Sequence, residues 1–192
     1  SARAALERLP ELARRGGARV LVGAFGDGLV WVPHEPGESC LAIKERLERY
    51  AQTDERSEHG ALAIPEYRSG PGVGQGTETG LWWALHDLAR RKVHAERIFL
   101  VSDLCCYTQG DVNCGVDMKR HFGRKATVQS MLDVYREEVN PEVTVYSVNL
   151  SGHGQSQLRP GGGRTHLMSG WSEKLFDLAA RLEAGGAGED EP

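Results

Sequence analysis

The sequence predicts an α/β domain built on a mostly parallel sheet, and two observations carry that reading. Arg19–Phe25, Arg97–Ser102 and Val143–Val148 are short, largely apolar stretches rich in β-branched and aromatic residues. Stretches of that kind read as strands buried on both faces of a sheet. Between and after them lie segments with apolar residues at helical spacing, over 81–92, 126–139 and 172–183. Strands alternating with helices in this way describe helices packed over parallel strands.

Taken in order, residues 2–15 place Ala5, Leu6, Leu9, Leu12 and Ala13 at helical spacing, with Pro10 kinking that helix or marking its start. No N-cap and no strand precede it, so the chain is expected to open inside an element. Gly16 and Gly17 end the helix. Gly26-Asp27-Gly28 turns the 19–25 strand back into Leu29–Val32, an antiparallel hairpin at a sheet edge. Pro33 and Pro36 stop the hairpin, and Leu41, Ile43, Leu47 and Tyr50 mark a helix over 39–51. Residues 53–75 are polar and Gly-rich, a long loop of the kind that carries function or moves. The 81–92 helix bears Leu81, Trp82, Leu85 and Leu88, and the 126–139 helix bears Val128, Met131, Leu132 and Tyr135. A second irregular region spans 104–124, a Gly-rich loop spans 160–163, and Ser169-Gly170-Trp171-Ser172 reads as the entry to the last helix. The domain is expected to end at 184, and the acidic, Gly-rich 185–192 to be a disordered tail.

A chain of 192 residues with 40% hydrophobic residues suits one domain with a sizeable core. The net charge of −4 gives no electrostatic case for gripping nucleic acid. The basic clusters Arg90-Arg91-Lys92 and Lys119–Lys125 read first as solvated faces, with local RNA contact as the sharper alternative. No apolar stretch approaches the ~20 residues of a membrane span, and Ser1 leads directly into a charged amphipathic pattern rather than a signal peptide. Four cysteines are too few for a disulfide scaffold, which points to a reducing, cytoplasmic setting.

Several stretches invite a chemical reading. Gly74-Gln75-Gly76-Thr77-Glu78-Thr79-Gly80 opens a helix, where N–H donors suit an anion, yet no Lys-Ser/Thr follows as a Walker A loop requires. Thr77 or Thr79 as a plain N-cap is the bland alternative. Asp103 ends the 97–102 strand at the carboxyl edge of the sheet, where α/β proteins bind ligands. Thr77 and Asp103 project from the same edge, and a hydroxyl converging with a carboxylate suits a hard divalent cation. Cys105, Cys106, Cys114 and His121 have adjacent rather than spaced cysteines, a poor zinc pattern that reads as reduced thiols. His153 and His166 stand in no nucleophile pattern, so no catalytic residue is assigned.

Gly76-Thr77-Glu78-Thr79-Gly80-Leu81 resembles the Gly-Thr loop of von Willebrand factor A domains, and Val101-Ser102-Asp103 is similar to their strand ending in a metal-motif Asp. The resemblance implies a three-layer, Rossmann-like fold, a mostly parallel sheet with an antiparallel edge strand. It also implies a Mg²⁺ site of the metal-ion-dependent adhesion type (MIDAS), with Thr77 and Asp103 as metal residues and a partner's carboxylate completing the octahedron. Within that family the chain looks most like the C-terminal domain of TROVE, Ro autoantigen-like proteins. Phe25-Gly26-Asp27, Asn149-Leu150-Ser151-Gly152-His153-Gly154 and Met168-Ser169-Gly170-Trp171 carry the likeness. Such proteins bind Y-like noncoding RNA through a ring of helical repeats that the A-type domain closes, so RNA contact belongs to the parent protein rather than to this domain.

One departure matters: the family's Asp-x-Ser-x-Ser motif is absent, and with it the first, central strand. The family's strand order, 3-2-1-4-5-6, leaves a gap between the 19–25 and 97–102 strands. Unpaired buried backbone groups cost on the order of 1–3 kcal/mol each. A strand from upstream in a longer protein, a strand from a separate chain, or a different strand order is therefore expected, the first being favoured. Without the missing Asp and Ser residues the ion is held weakly or not at all. The reading is a non-enzymatic, Mg²⁺-dependent module engaging a protein ligand in a Ro-like ribonucleoprotein, with no membrane partner. The alternative is an α/β hydrolase or nucleotide-using enzyme acting at the carboxyl ends of the strands.

Overall fold

The computed structural model describes residues 19–25, 29–32, 35, 38–39, 41–43, 45–46, 77–102, 122–150, 156–170 and 174–186, with Val30, 77–79, Phe176 and 185–186 described by backbone alone. Strands β1 (Val22–Phe25) and β2 (Leu29–Val32) form the expected antiparallel hairpin. Gly23 sits opposite Trp31, and a Cβ there would approach the Trp31 ring to 2.9 Å. A side chain at Gly23 would therefore displace the indole. Ile43, in a stretch that is helical at 41–43 and 45–46, closes a small core with Val22 and Val32.

Helix α1 (Thr77–Arg90) follows and leads through a six-residue connection into β3 (Arg97–Ser102). A short 3₁₀ turn, Gly123–Lys125, precedes helix α2 (Val128–Glu138), and β4 (Thr144–Asn149), β5 (Thr165–Ser169) and helix α3 (Leu175–Gly186) complete the order. Strands β3, β4 and β5 pair in parallel in that order. The chain is thus α/β, with a three-stranded parallel sheet.

Side-chain alternation divides the sheet into two apolar faces. Leu100 and Val145 pack with Leu81, Trp82, Leu85 and Leu88 of α1 and with Met131, Leu132 and Tyr135 of α2. On the other face Tyr146, Val148 and Met168 pack with Leu175 and Ala179 of α3. Helices therefore cover both faces of β3–β4–β5, a three-layer arrangement. The β1–β2 hairpin joins the α1 side through Leu29, and Trp31 Nε1 donates to Asp87 Oδ2 at 2.7 Å. Among the described strands β1 and β3 pair neither with each other nor with a strand between them.

Several boundaries differ from expectation: β1 starts at Val22 rather than Arg19, β4 spans 144–149 rather than 143–148, and α2 spans 128–138 rather than 126–139. Helix α1 begins at Thr77 rather than Leu81, so Gly80, expected in a loop, is a buried position inside the helix. The helix ends two residues early because Lys92, at φ 52°, takes the left-handed conformation, with Val93 N–H bonding Leu88 O and Lys92 N–H bonding Ala89 O. That is a Schellman stop with lysine in the place glycine usually fills. Strand β5 lies between the expected 160–163 loop and the helix entry at Ser169, where the sequence predicts no strand; Thr-His-Leu-Met-Ser offers no apolar run, and its pairing with β4 supplies what local sequence does not. Helix α3 begins three residues later than expected and continues to Gly186, two residues into the stretch expected to be tail. In α2, Thr127 is extended and accepts from Ser130 N–H at 3.1 Å, an N-cap that fixes the helix start.

The C-terminal half of α3 is tied to the sheet by charge. Arg97 donates to both oxygens of Glu183 at 2.6 Å, and the Tyr146 hydroxyl donates to the same carboxylate at 2.7 Å. Phe99, Tyr146 and His166 stack in register across the three strands beneath it, with centroids 4.7 and 5.2 Å apart. The Arg97 hydrogen bonds hold the Glu183 carboxyl below its ordinary value of 4.5, with burial opposing and Tyr146 assisting. A lowered carboxyl contributes stability that is present above that ordinary value and is lost as pH falls through the lowered one. Arg97 is half exposed, which screens the pair. Glu183→Gln should lower the unfolding free energy at neutral pH by ~1 kcal/mol. The gap to wild type should close in urea titrations repeated below the ordinary carboxylate range.

Candidate functional site

The parallel register sets the carboxyl ends of β3, β4 and β5 side by side: Ser102 pairs with Asn149, and Asn149 with Ser169. Each strand thus ends in a hydroxyl or amide side chain on one row. Ser102 and Asn149 are buried, whereas Ser169 is exposed. Burying polar side chains at a strand end costs free energy unless they are hydrogen-bonded.

Backbone pairing runs one step past the strands on both sides. Leu150 N–H donates to Ser102 O at 2.8 Å, and Gly170 N–H donates to Asn149 O at 2.7 Å. Gly170 sits at φ 81°, and a Cβ there would meet nothing within 4 Å. The turn that carries the chain away from the row therefore needs glycine for its backbone rather than for space. Further down the same face, Ser147 is buried and its hydroxyl lies 3.2 Å from that of Ser156, which also accepts from Leu158 N–H. Along β4 the α2-facing side thus reads Val145, Ser147, Asn149, turning polar toward the carboxyl end.

Thr77 is the first residue of α1. A 14-residue helix spans ~21 Å, close to the ~20 Å of a six-residue strand, and the short return at 91–96 turns the chain back between them. The first turn of α1 and the end of β3 accordingly lie toward the same end of the molecule. The Thr77 side chain, Asp103, Cys105, Cys106, Cys114, His121, His153 and Trp171 lie outside the described residues, as do the 2–15 helix, the 53–75 loop and the 187–192 tail. His166 is placed by Tyr146 on the α3-facing side of β5, in the aromatic stack rather than in the polar row.

Among the described residues no group of three or more His, Cys, Asp or Glu side chains could hold a metal. The donors that are placed at the edge are oxygens, with no thiol or imidazole among Ser102, Asn149 and Ser169. Neutral oxygen donors of that kind are of the class that hard divalent cations accept, and Asp103 is next in sequence after Ser102.

Two features of the row escape a reading of the sequence alone. Ser147 is signalled by a serine interrupting Val-Thr-Val-Tyr-Ser-Val, but its link to Ser156 is not. The alignment of Ser169 with Asn149 is a matter of register that only strand pairing reveals. No described helix is long and apolar enough to cross a membrane. Comparison with protein-family models, curated proteins and solved structures finds no match to this chain.

Proposed function

We propose that this chain is a von Willebrand factor A-type binding module of the Ro-like kind, which engages a protein ligand through a bound Mg²⁺ ion. The observation that supports it best is the order β3–β4–β5, each strand ending in Ser or Asn on one row, preceded by a helix that begins at Thr77. That β1 and β3 are not paired among the described strands also agrees with a sheet whose central strand comes from elsewhere in a longer protein or from a separate chain.

In this reading Thr77 and Asp103 hold the ion, with Ser102 and Asn149 shaping the floor beside it. The bound ion supplies a positive charge that accepts a carboxylate oxygen of the protein ligand. The chain's own part is positional. Strand β3 is fixed on one side by β4, its first residue by Glu183, and its approach by Tyr135 and Asn140 of the α2 end. No group here is asked to move a proton, so the module binds without turnover, and RNA is held by other parts of a Ro-like ribonucleoprotein.

A bound ion stabilises the folded chain by mass action. At ten times its dissociation constant the gain is about 1.4 kcal/mol, or roughly 3–6 °C in Tm for a domain of this size. The Tm of the full chain, joined to its first strand where a parent protein supplies one, should rise with millimolar Mg²⁺. Asp103→Ala should abolish the rise. A melting curve indifferent to Mg²⁺ overturns the metal part of the proposal.

A further inference from the structure

The strongest unassigned group is the half-buried His86 of α1. Its ring stacks on Trp82 at 4.8 Å and 15°, and meets Trp83 and Phe122 edge-on at 5.4 and 5.7 Å. Phe122 opens the segment that ends in the Gly123–Lys125 turn. Phe122 packs on Trp82 at 4.3 Å, and Trp82 Nε1 donates to Lys125 O at 2.7 Å. His86 Nδ1 is buried and has no hydrogen-bond partner among the described residues.

A neutral imidazole tolerates that position, since a bare lone pair can sit at Nδ1 with the proton on Nε2. An imidazolium carries N–H at both nitrogens, and the one at Nδ1 would be buried with no acceptor. The charges around the ring point the same way. Arg90 on α1 and Lys125 on the turn both oppose a proton on His86, and Arg124 stands in the same turn. Asp87 favours the proton, but its two carboxylate oxygens already accept from Trp31, Arg90 and Arg91. On α2, Glu138 is bonded by Lys92 at 2.7 Å and lies 3.9 Å from Lys125. The Trp82 ring face attracts a cation, which offsets part of this.

We propose that His86 is an acid-sensitive latch: neutral, it seats the Phe122–Lys125 segment on α1; protonated, it releases that segment. Burial first, then Arg90, hold the His86 ring below its ordinary value of 6.5 while the segment is seated. Release exposes the ring to water and lets it take the proton, so acidification favours the released form. The stabilisation is complete above the ordinary histidine value and is lost as pH falls from it toward the lowered one. The segment leads directly into α2, so the latch couples pH to the joint between the two helices on that face of the sheet.

The Trp82 indole N–H reports seating directly, because its acceptor is the Lys125 carbonyl, and the Trp31 indole N–H, bonded to Asp87, serves as the control. Solvent exchange of both is measured by NMR on the full chain between pH ~7.5 and ~5.5, corrected for intrinsic exchange. Exchange at Trp82 should accelerate about tenfold on acidification while Trp31 changes less than about twofold. In His86→Gln and in His86→Phe the Trp82 rate should be flat. A flat wild type, the same acceleration in either variant, or parallel acceleration at Trp31 overturns the latch.

Discussion

Asp87→Ala is expected to lower the unfolding free energy by about 2–3 kcal/mol, read by urea denaturation at neutral pH. Asp87 is a buried carboxylate, its side chain 3% exposed, that gathers the Trp31 indole at 2.7 Å, Arg90 at 2.8 Å and Arg91 at 2.7 Å. Removing one member of a buried ion pair usually costs ~3–5 kcal/mol because the other charge stays buried. Here the two guanidiniums are substantially exposed and can be rehydrated, so the lower figure applies. What water cannot repair is the Trp31 bond, which joins the β1–β2 hairpin to α1, with the Arg91 guanidinium 5.5 Å above the same indole. Asp87→Asn keeps one acceptor and should cost less than alanine. A loss below ~1 kcal/mol in Asp87→Ala would show that the hairpin is held by its apolar contacts alone.

Tyr135→Phe should cost a similar ~2–3 kcal/mol for the loss of one oxygen. The fully buried Tyr135 hydroxyl donates to Val93 O at 2.8 Å and accepts from Ala95 N–H at 2.9 Å. Phenylalanine keeps the ring volume and leaves both backbone groups unmet, so little of the loss comes from packing. Burial holds the phenol above its ordinary value, so the hydroxyl keeps its proton across the physiological range. Asn140 adds a parallel bond to Ala95 O at 2.8 Å, and together the two side chains fix the return from α1 into β3. The expected result is a lowered urea midpoint together with faster amide exchange at Ala95. Unchanged exchange there would refute the role assigned to the hydroxyl.

Much of the framework is written locally in the chain. Arg97–Ser102 appears as one apolar run closed by a hydroxyl, and the strand occupies those residues. The 29–32 hairpin strand and the helix expected over 126–139, observed at 128–138, are equally plain, because a glycine turn and apolar residues at helical spacing speak for themselves. The Thr127 cap is seen only in the structure. What is not legible depends on partners distant in sequence. Strand β5 is polar and short, and exists through β4. Asp87 reads as one more charge on a helix until Trp31, 56 residues away, is placed beside it. Tyr135 reads as one apolar position among several, yet its hydroxyl caps a loop 40 residues earlier in the chain. The candidate site divides the same way. The sequence points to Thr77 and Asp103, whereas the buried pair Ser102–Asn149 and its continuation to Ser169 come from register.

The central proposal is that the carboxyl edge of β3–β4–β5 holds a divalent cation with Asp103, and paramagnetic relaxation tests it most directly. With Mn²⁺ substituted for Mg²⁺, amide signals of Ser102, Asn149, Leu150, Ser169 and Gly170 should broaden first, while Arg97, Thr144 and Thr165 at the opposite end stay sharp. Asp103→Ala should remove the selectivity. Broadening that spares the carboxyl edge, or that is unchanged in Asp103→Ala, would contradict the account.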